Sequence, residues 1–276
     1  MAQRRAPAWL TLGLLVLVAW LGAGAGAAAR QPFDHTYAGW DRLLRQHVQW
    51  LPDGVQSRVD YAGVAADRAR LKTVLDGMSA VTSDEFDRWT RQEQMAFFIN
   101  AYNAFTIELI LTAWPRIDSI RDLGSLLRSP WRRPFFTLLG ARRHLDWVEH
   151  EQLRPRYAEP RVHAAVNCAA IGCPALRPEA FVAARLDAQL DDSMRRFLAD
   201  RTRNRVSGGR LEVSAIFRWY RTDFEQGRDG VHGVEGFLAR YADALTDVPR
   251  ERVDLQQRTL RVTYLPYDWS LNARGR

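Results

Sequence analysis

The chain has 276 residues, a formal charge of +7 at pH 7 and 47% hydrophobic residues, with 11% of all residues aromatic. These values fit one large domain, or two small ones, with a core that needs no staples, and they exclude a disordered chain. The positive charge is almost all arginine, because Lys72 is the only lysine; the arginines are scattered, no nucleic-acid-binding motif accompanies them, and nucleic-acid binding is not expected.

Residues 1–29 read as a signal peptide. Arg4 and Arg5 form a basic start, Trp9 to Leu21 is apolar, and the small residues of GAGAGAAAR suit cleavage after Ala27 or Ala29. No cysteine lies there, so lipid attachment is not expected. The predicted location is periplasmic or secreted. The alternative is an uncleaved segment that anchors the chain in the inner membrane, since the uncharged stretch from Ala6 to Ala29 could just span a bilayer. No other stretch is long and apolar enough to cross one. Residues 30–276 hold no repeat and no long linker, and read as one domain.

Phe33 to Leu51 reads as irregular helix, and Val59-Asp60-Tyr61 as the start of a short extended piece. Asp67 to Met78 fits a helix with Leu71, Val74, Leu75 and Met78 on one face. Thr82 to Glu85 has the look of a capping box. Gln92 to Trp114 is apolar on most sides and stops at Pro115, which predicts a buried helix. Phe135 to Leu145 reads as a β-hairpin around Gly140-Ala141, and Asp146 with Glu149 as a second capping signal, opening a helix through Leu153. Pro178 to Ala199 fits an amphipathic helix, and Arg205 to Val213 a hairpin around Ser207-Gly208-Gly209. Ser214 caps a predicted helix through Phe224, Val234 to Ala242 is another, and Leu260 to Tyr267 reads as a strand. Helices outnumber strands and strands come as hairpins, so the expected class is α+β, helix-rich, rather than a doubly wound sheet.

Both cysteines lie in HAAVNCAAIGCP, from His163 to Pro174. Three readings are open. An exported protein with two nearby cysteines most often pairs them, although so short a loop adds only about 2 kcal/mol. A reactive thiol needs a histidine, a cation or a helix N-terminus. His163 and Asn167, four apart, would share a helical face beside Cys168, and Pro174 suits a first helical position that would set Cys173 near backbone N–H groups. A carboxylate must then orient the histidine, and Glu149, Asp146 and Asp268 are the candidates. A zinc set of His163, Cys168, Cys173 and His150 matches no familiar spacing, and no metal is assigned.

Asn100 and Asn103 in FFINAYNAF share one face of the buried helix. A buried, unpaired amide is costly, so a neighbouring loop must meet them; the loop holding Cys168 and Cys173 is one candidate. Asp268, between Tyr267 and Trp269 in YLPYDWSLN, needs a partner if buried.

Taken in order, VDY at 59–61, FFINAYNAF at 97–105, WVEHEQLR at 147–154, RVHAAVNCAAIGCPALR at 161–177 and YDWSLN at 267–272 resemble the domain-of-unknown-function 547 family of bacterial proteins and plant C-terminal domains. The resemblance spans roughly residues 59–272. It implies that Asn100, Asn103, Glu149, His163, Asn167, Cys168, Cys173, Pro174 and Asp268 belong to the family pattern. It brings no agreed activity. The functional expectation is a cell-envelope enzyme, a cysteine-dependent hydrolase or acyl-transferase, with Cys168 or Cys173 as nucleophile, His163 as base and Asp268 or Glu149 as orienter. The alternative is a non-catalytic envelope module stapled by a Cys168–Cys173 disulfide. With no phosphate loop or dinucleotide fingerprint, no cofactor is expected; partners and substrate are not specified by the sequence.

Overall fold

The structure is a computed structural model that describes residues 1–2, 32–125, 128–225 and 232–275. The chain divides into Met1–Pro32 and Phe33–Arg276. Of the signal peptide expected over residues 1–29, residues 3–29 lie outside the described residues. Phe33–Arg276 is α+β, helix-rich, with two two-stranded sheets and one three-stranded sheet among the described residues. Among those residues no helix is long and apolar enough to cross a membrane.

The organising element is the helix Arg91–Leu111. Thr90 starts it with a capping box: Glu93 donates its amide N–H to the Thr90 hydroxyl at 3.3 Å, and its carboxylate accepts the Thr90 N–H at 2.8 Å. Every residue from Met95 to Ile107 is buried, as expected of a helix apolar on most sides. It ends three residues before Trp114, because a residue followed by proline is pushed out of the helical region. The helices Ala38–His47 and Arg68–Ser79 and the hairpin Phe136–Leu138/Ala141–Arg143 enclose it. Phe105 stacks on Phe136 of that hairpin with centroids 4.0 Å apart.

A second core forms around the helix Leu186–Ala199, with Phe217, Phe224, Leu238 and Leu245 against it. Three expectations change here. Pro178 to Ala199 is not one helix: 174–182 is a loop, and the helix begins at Leu186 after a 3₁₀ turn at Ala183–Arg185. The cause is long-range, since Asn100 holds the backbone of Phe181 by both its N–H and its carbonyl. The helix predicted from Ser214 splits into Ile216–Trp219 and Arg221–Glu225, with Tyr220 at the break. The closing strand, Arg261–Leu265, pairs parallel with Arg210–Ser214 rather than in a hairpin.

Candidate functional site

The cysteine segment is shaped by amides. His163 sits in a 3₁₀ turn, Pro160–Ala164, so it shares no helical face with Asn167. Asn103 donates to the Ala165 carbonyl at 2.9 Å and accepts the Asn167 N–H at 2.8 Å, so one buried side chain from the central helix fixes both backbone polarities of this loop. Asn167 donates to the Pro174 carbonyl at 2.8 Å and accepts the Ala169 N–H at 2.9 Å, closing the loop on itself. Ala169 takes φ 64° there, a left-handed conformation that costs a non-glycine residue roughly 1–2 kcal/mol.

The C-terminal stretch is threaded along this loop. Gly172 donates to the Asp268 carbonyl at 2.8 Å, Ile171 to Ser270 at 2.7 Å, and Asn272 to Ala169 at 3.0 Å, while Val59 donates to the Asn272 carbonyl at 3.0 Å. The extended piece Ser57–Val59, the cysteine loop and the tail 267–273 thus form one hydrogen-bonded patch. A Cβ on Gly172 would lie 2.9 Å from both the Asp268 carbonyl oxygen and the Tyr267 ring, so glycine is what permits this approach.

The sulfurs of Cys168 and Cys173 are at bonding distance, with Cα atoms 6.2 Å apart, which leaves no free cysteine. No helix starts at Pro174. The N–H group at the Cys173 sulfur comes instead from Cys168, at 2.9 Å, and the Tyr267 hydroxyl donates to the same sulfur at 3.1 Å. Burial raises the Tyr267 pKa, which keeps that hydroxyl protonated. Arg203 donates to the Cys173 carbonyl and pairs with Asp200 at 2.7 Å.

His163 is buried and stacks on Tyr220, ring centroids 3.8 Å apart. Its Nε2 lies 2.7 Å from Asp223 Oδ2, and its Nδ1 lies 3.7 Å from Glu149 Oε1 with no partner at hydrogen-bond distance. Arg154 grips Asp223 with two contacts, Nε to Oδ2 at 2.6 Å and Nη2 to Oδ1 at 2.9 Å. Burial works against a charge on His163, but the hydrogen bond to Asp223 and the nearby Glu149 outweigh it and raise its pKa. Burial likewise opposes ionisation of Glu149 and Asp223. The His163 imidazolium, aided at Asp223 by Arg154, nevertheless holds both carboxyls below their usual range. Glu149 is delivered by Trp147–Leu153, which is wound as a π-helix; Asp146 makes no capping bond there.

Glu149, His163, Cys168 and Cys173 line one cavity of about 210 Å³, walled by Tyr102, Tyr220 and Tyr267. Trp131, Trp219 and Trp269 form the rest of an aromatic wall, Trp219 stacking on Trp269 with centroids 5.7 Å apart. Asn103 and Asn167 shape the loop that carries the cysteines, whereas Asn100 holds the separate loop at Phe181. Asp268 is not among the groups at His163: it is exposed, and its carboxylate accepts the Ser270 N–H of its own segment at 2.8 Å. The carboxylate that contacts His163 Nε2 is Asp223, which sequence reasoning missed together with Arg154, Tyr220 and Tyr267. Asp223 follows the Ser214 capping signal but sits sixty positions from His163, so no local pattern links them. His150 contacts Arg154 at 2.7 Å and lies 3.9 Å from Asp146. Among the described residues no group of three or more His, Cys, Asp or Glu is arranged to hold a metal ion.

Compared with known proteins, residues 86–198 match the family described as protein of unknown function, DUF547. That segment contains FFINAYNAF, WVEHEQLR and the whole cysteine segment. No curated protein and no solved structure matches the chain significantly.

Proposed function

We propose, for a chain whose residues 86–198 belong to the DUF547 family, that the cavity is the active site of a cell-envelope thiol enzyme that hydrolyses or transfers acyl groups. One observation carries the reading: the Cys173 sulfur receives two hydrogen bonds, from the Cys168 N–H and the Tyr267 hydroxyl, in a cavity it shares with a histidine held between two carboxylates. Both features favour a thiolate once the Cys168–Cys173 bond is reduced.

In this reading the reduced Cys173 is a thiolate in the same cavity as a His163 held as an imidazolium, with Asp223 fixing the ring through Nε2 and Glu149 facing Nδ1. The Cys173 thiolate attacks the acyl carbon, and the bond from that carbon to the leaving group breaks. The leaving group collects the proton from His163. Water, or an acceptor hydroxyl or amine, then attacks the thioester, gives its proton to His163 and releases the Cys173 thiolate. The basic, apolar and small-residue regions at the chain's start support export.

The bonded state of the two sulfurs favours a second reading, a non-catalytic envelope module in which the disulfide only staples. Alkylation separates the two. In the reduced, folded protein Cys173 should react with iodoacetamide below pH 8 faster than an ordinary thiol of pKa about 8.5, and His163→Ala should slow it. Ordinary-thiol kinetics in both proteins would overturn the enzyme reading.

A further inference from the structure

We propose that the Cys168–Cys173 bond is an exchange-active disulfide that accepts an aliphatic thiol, with attack on Cys168 and departure of Cys173. The proposal uses the same cysteines as the enzyme reading but does not depend on acyl transfer.

The two sulfurs are not equivalent. Cys173 is 4% exposed, whereas Cys168 is only partly buried, and both border the cavity. An incoming thiolate therefore has its access at Cys168. The departing sulfur must carry negative charge, and a leaving thiol of lower pKa leaves faster. Cys173 is equipped for this, because the Cys168 N–H at 2.9 Å and the Tyr267 O–H at 3.1 Å already point at its sulfur, and hydrogen bonds to an anion are stronger than to a neutral atom. The Tyr267 hydroxyl also lies 3.2 Å from the Cys168 sulfur, so it stays between the two sulfurs as the bond opens. Opening needs no unfolding, since Asn103, Asn167 and the C-terminal tail hold the loop besides the disulfide.

The thiolate sulfur bonds to Cys168 Sγ, the Sγ–Sγ bond breaks, and its electron pair leaves on Cys173. Products are a mixed disulfide on Cys168 and a Cys173 thiolate; the attacking thiol has been oxidised and Cys173 reduced. A second thiolate attacking the mixed disulfide would free Cys168 and release the oxidised thiol dimer.

The test incubates the intact chain, without denaturant, with glutathione in one arm and a cysteine-bearing peptide in the other. Iodoacetamide then quenches the reaction, and peptide mass spectrometry locates each adduct. The expected species carries the thiol on Cys168 and the carbamidomethyl group on Cys173. Reaction in one arm alone identifies whether a free small thiol or a peptide-borne thiol is accepted. Adducts on Cys173, adducts spread equally over both cysteines, or no opening in either arm without denaturant would overturn the proposal. Independently, in Cys168→Ala the Cys173 thiolate absorbance should titrate at least about one unit below the ordinary 8.5. Adding Tyr267→Phe to that variant should raise this pKa, and in the wild-type background Tyr267→Phe should slow exchange severalfold. An ordinary pKa unaffected by Tyr267→Phe would remove the basis for Cys173 as the leaving group.

Discussion

His163 Nε2 lies 2.7 Å from Asp223 Oδ2. An ionised carboxylate can only accept, so Nε2 carries the proton of this contact. The remaining nitrogen, Nδ1, faces Glu149 at 3.7 Å. A buried imidazole between two carboxylates is thereby held in one orientation and biased toward its charged form, which is the state a thiolate partner requires.

Asp223→Asn tests this directly. It removes the charge that raises the His163 pKa and leaves Arg154 without its two-point partner. The His163 pKa, followed by NMR of the ring protons, should fall toward its ordinary value. The partly buried ion pair should cost roughly 1–3 kcal/mol of stability in denaturant titration, below the range for a fully buried pair because Asp223 retains some solvent contact. An unmoved histidine pKa would show that Asp223 does not act on the ring.

Stability should depend on pH at both ends. The folded pKa of His163 is above its ordinary 6.5, so its contribution is whole below that value and fades as pH rises through the folded pKa. The folded pKa values of Glu149 and Asp223 are below their ordinary 4.5 and 3.8, so their contribution is whole above those values and fades as pH falls through the folded ones. Urea midpoints should therefore be highest between these limits, and His163→Gln should flatten the alkaline side. An alkaline limb identical in the two proteins would mean that His163 is not raised.

Asn100→Leu and Asn103→Leu should each destabilise by about 1–3 kcal/mol, because each leaves a buried N–H and a buried carbonyl unpaired. Only Asn103→Leu should also change cysteine reactivity, since Asn103 holds the cysteine loop while Asn100 holds the loop at Phe181. Equal effects on alkylation rates from both variants would contradict that division.

Gly172→Ala should destabilise by about 1–3 kcal/mol, because its Cβ would press on the Asp268 carbonyl and the Tyr267 ring at 2.9 Å. Moving Tyr267 withdraws a donor from Cys173, so the reduced Cys173 should also become less reactive toward iodoacetamide. Wild-type stability with wild-type reactivity would show that the tail yields without displacing Tyr267.

Much of the fold is legible because its signals are local. The buried helix follows from the run around Phe97 to Ile107, and both hairpins follow from glycine turns flanked by β-formers. The cysteine segment, His163 and Asn103 stand out for the same reason, as polar or reactive side chains in apolar sequence. What depends on distant pairing does not show. Asp223 reaches His163 only after a helix breaks at Tyr220, and the helix predicted from Pro178 yields to the grip of Asn100 on Phe181. Asp268 misleads because its aromatic neighbours suggest burial, while only its backbone carbonyl turns toward the cysteine loop.

The most direct test of the thiol-enzyme account is acyl trapping on the reduced protein. After brief exposure to an activated ester at neutral pH, intact-mass and peptide mass spectrometry should find one acyl group, on Cys173, turning over with time. His163→Ala should slow its formation at least about tenfold, within the usual reach of general acid–base assistance. Acylation no faster than that of a free thiol, or equally fast in His163→Ala, would contradict the account.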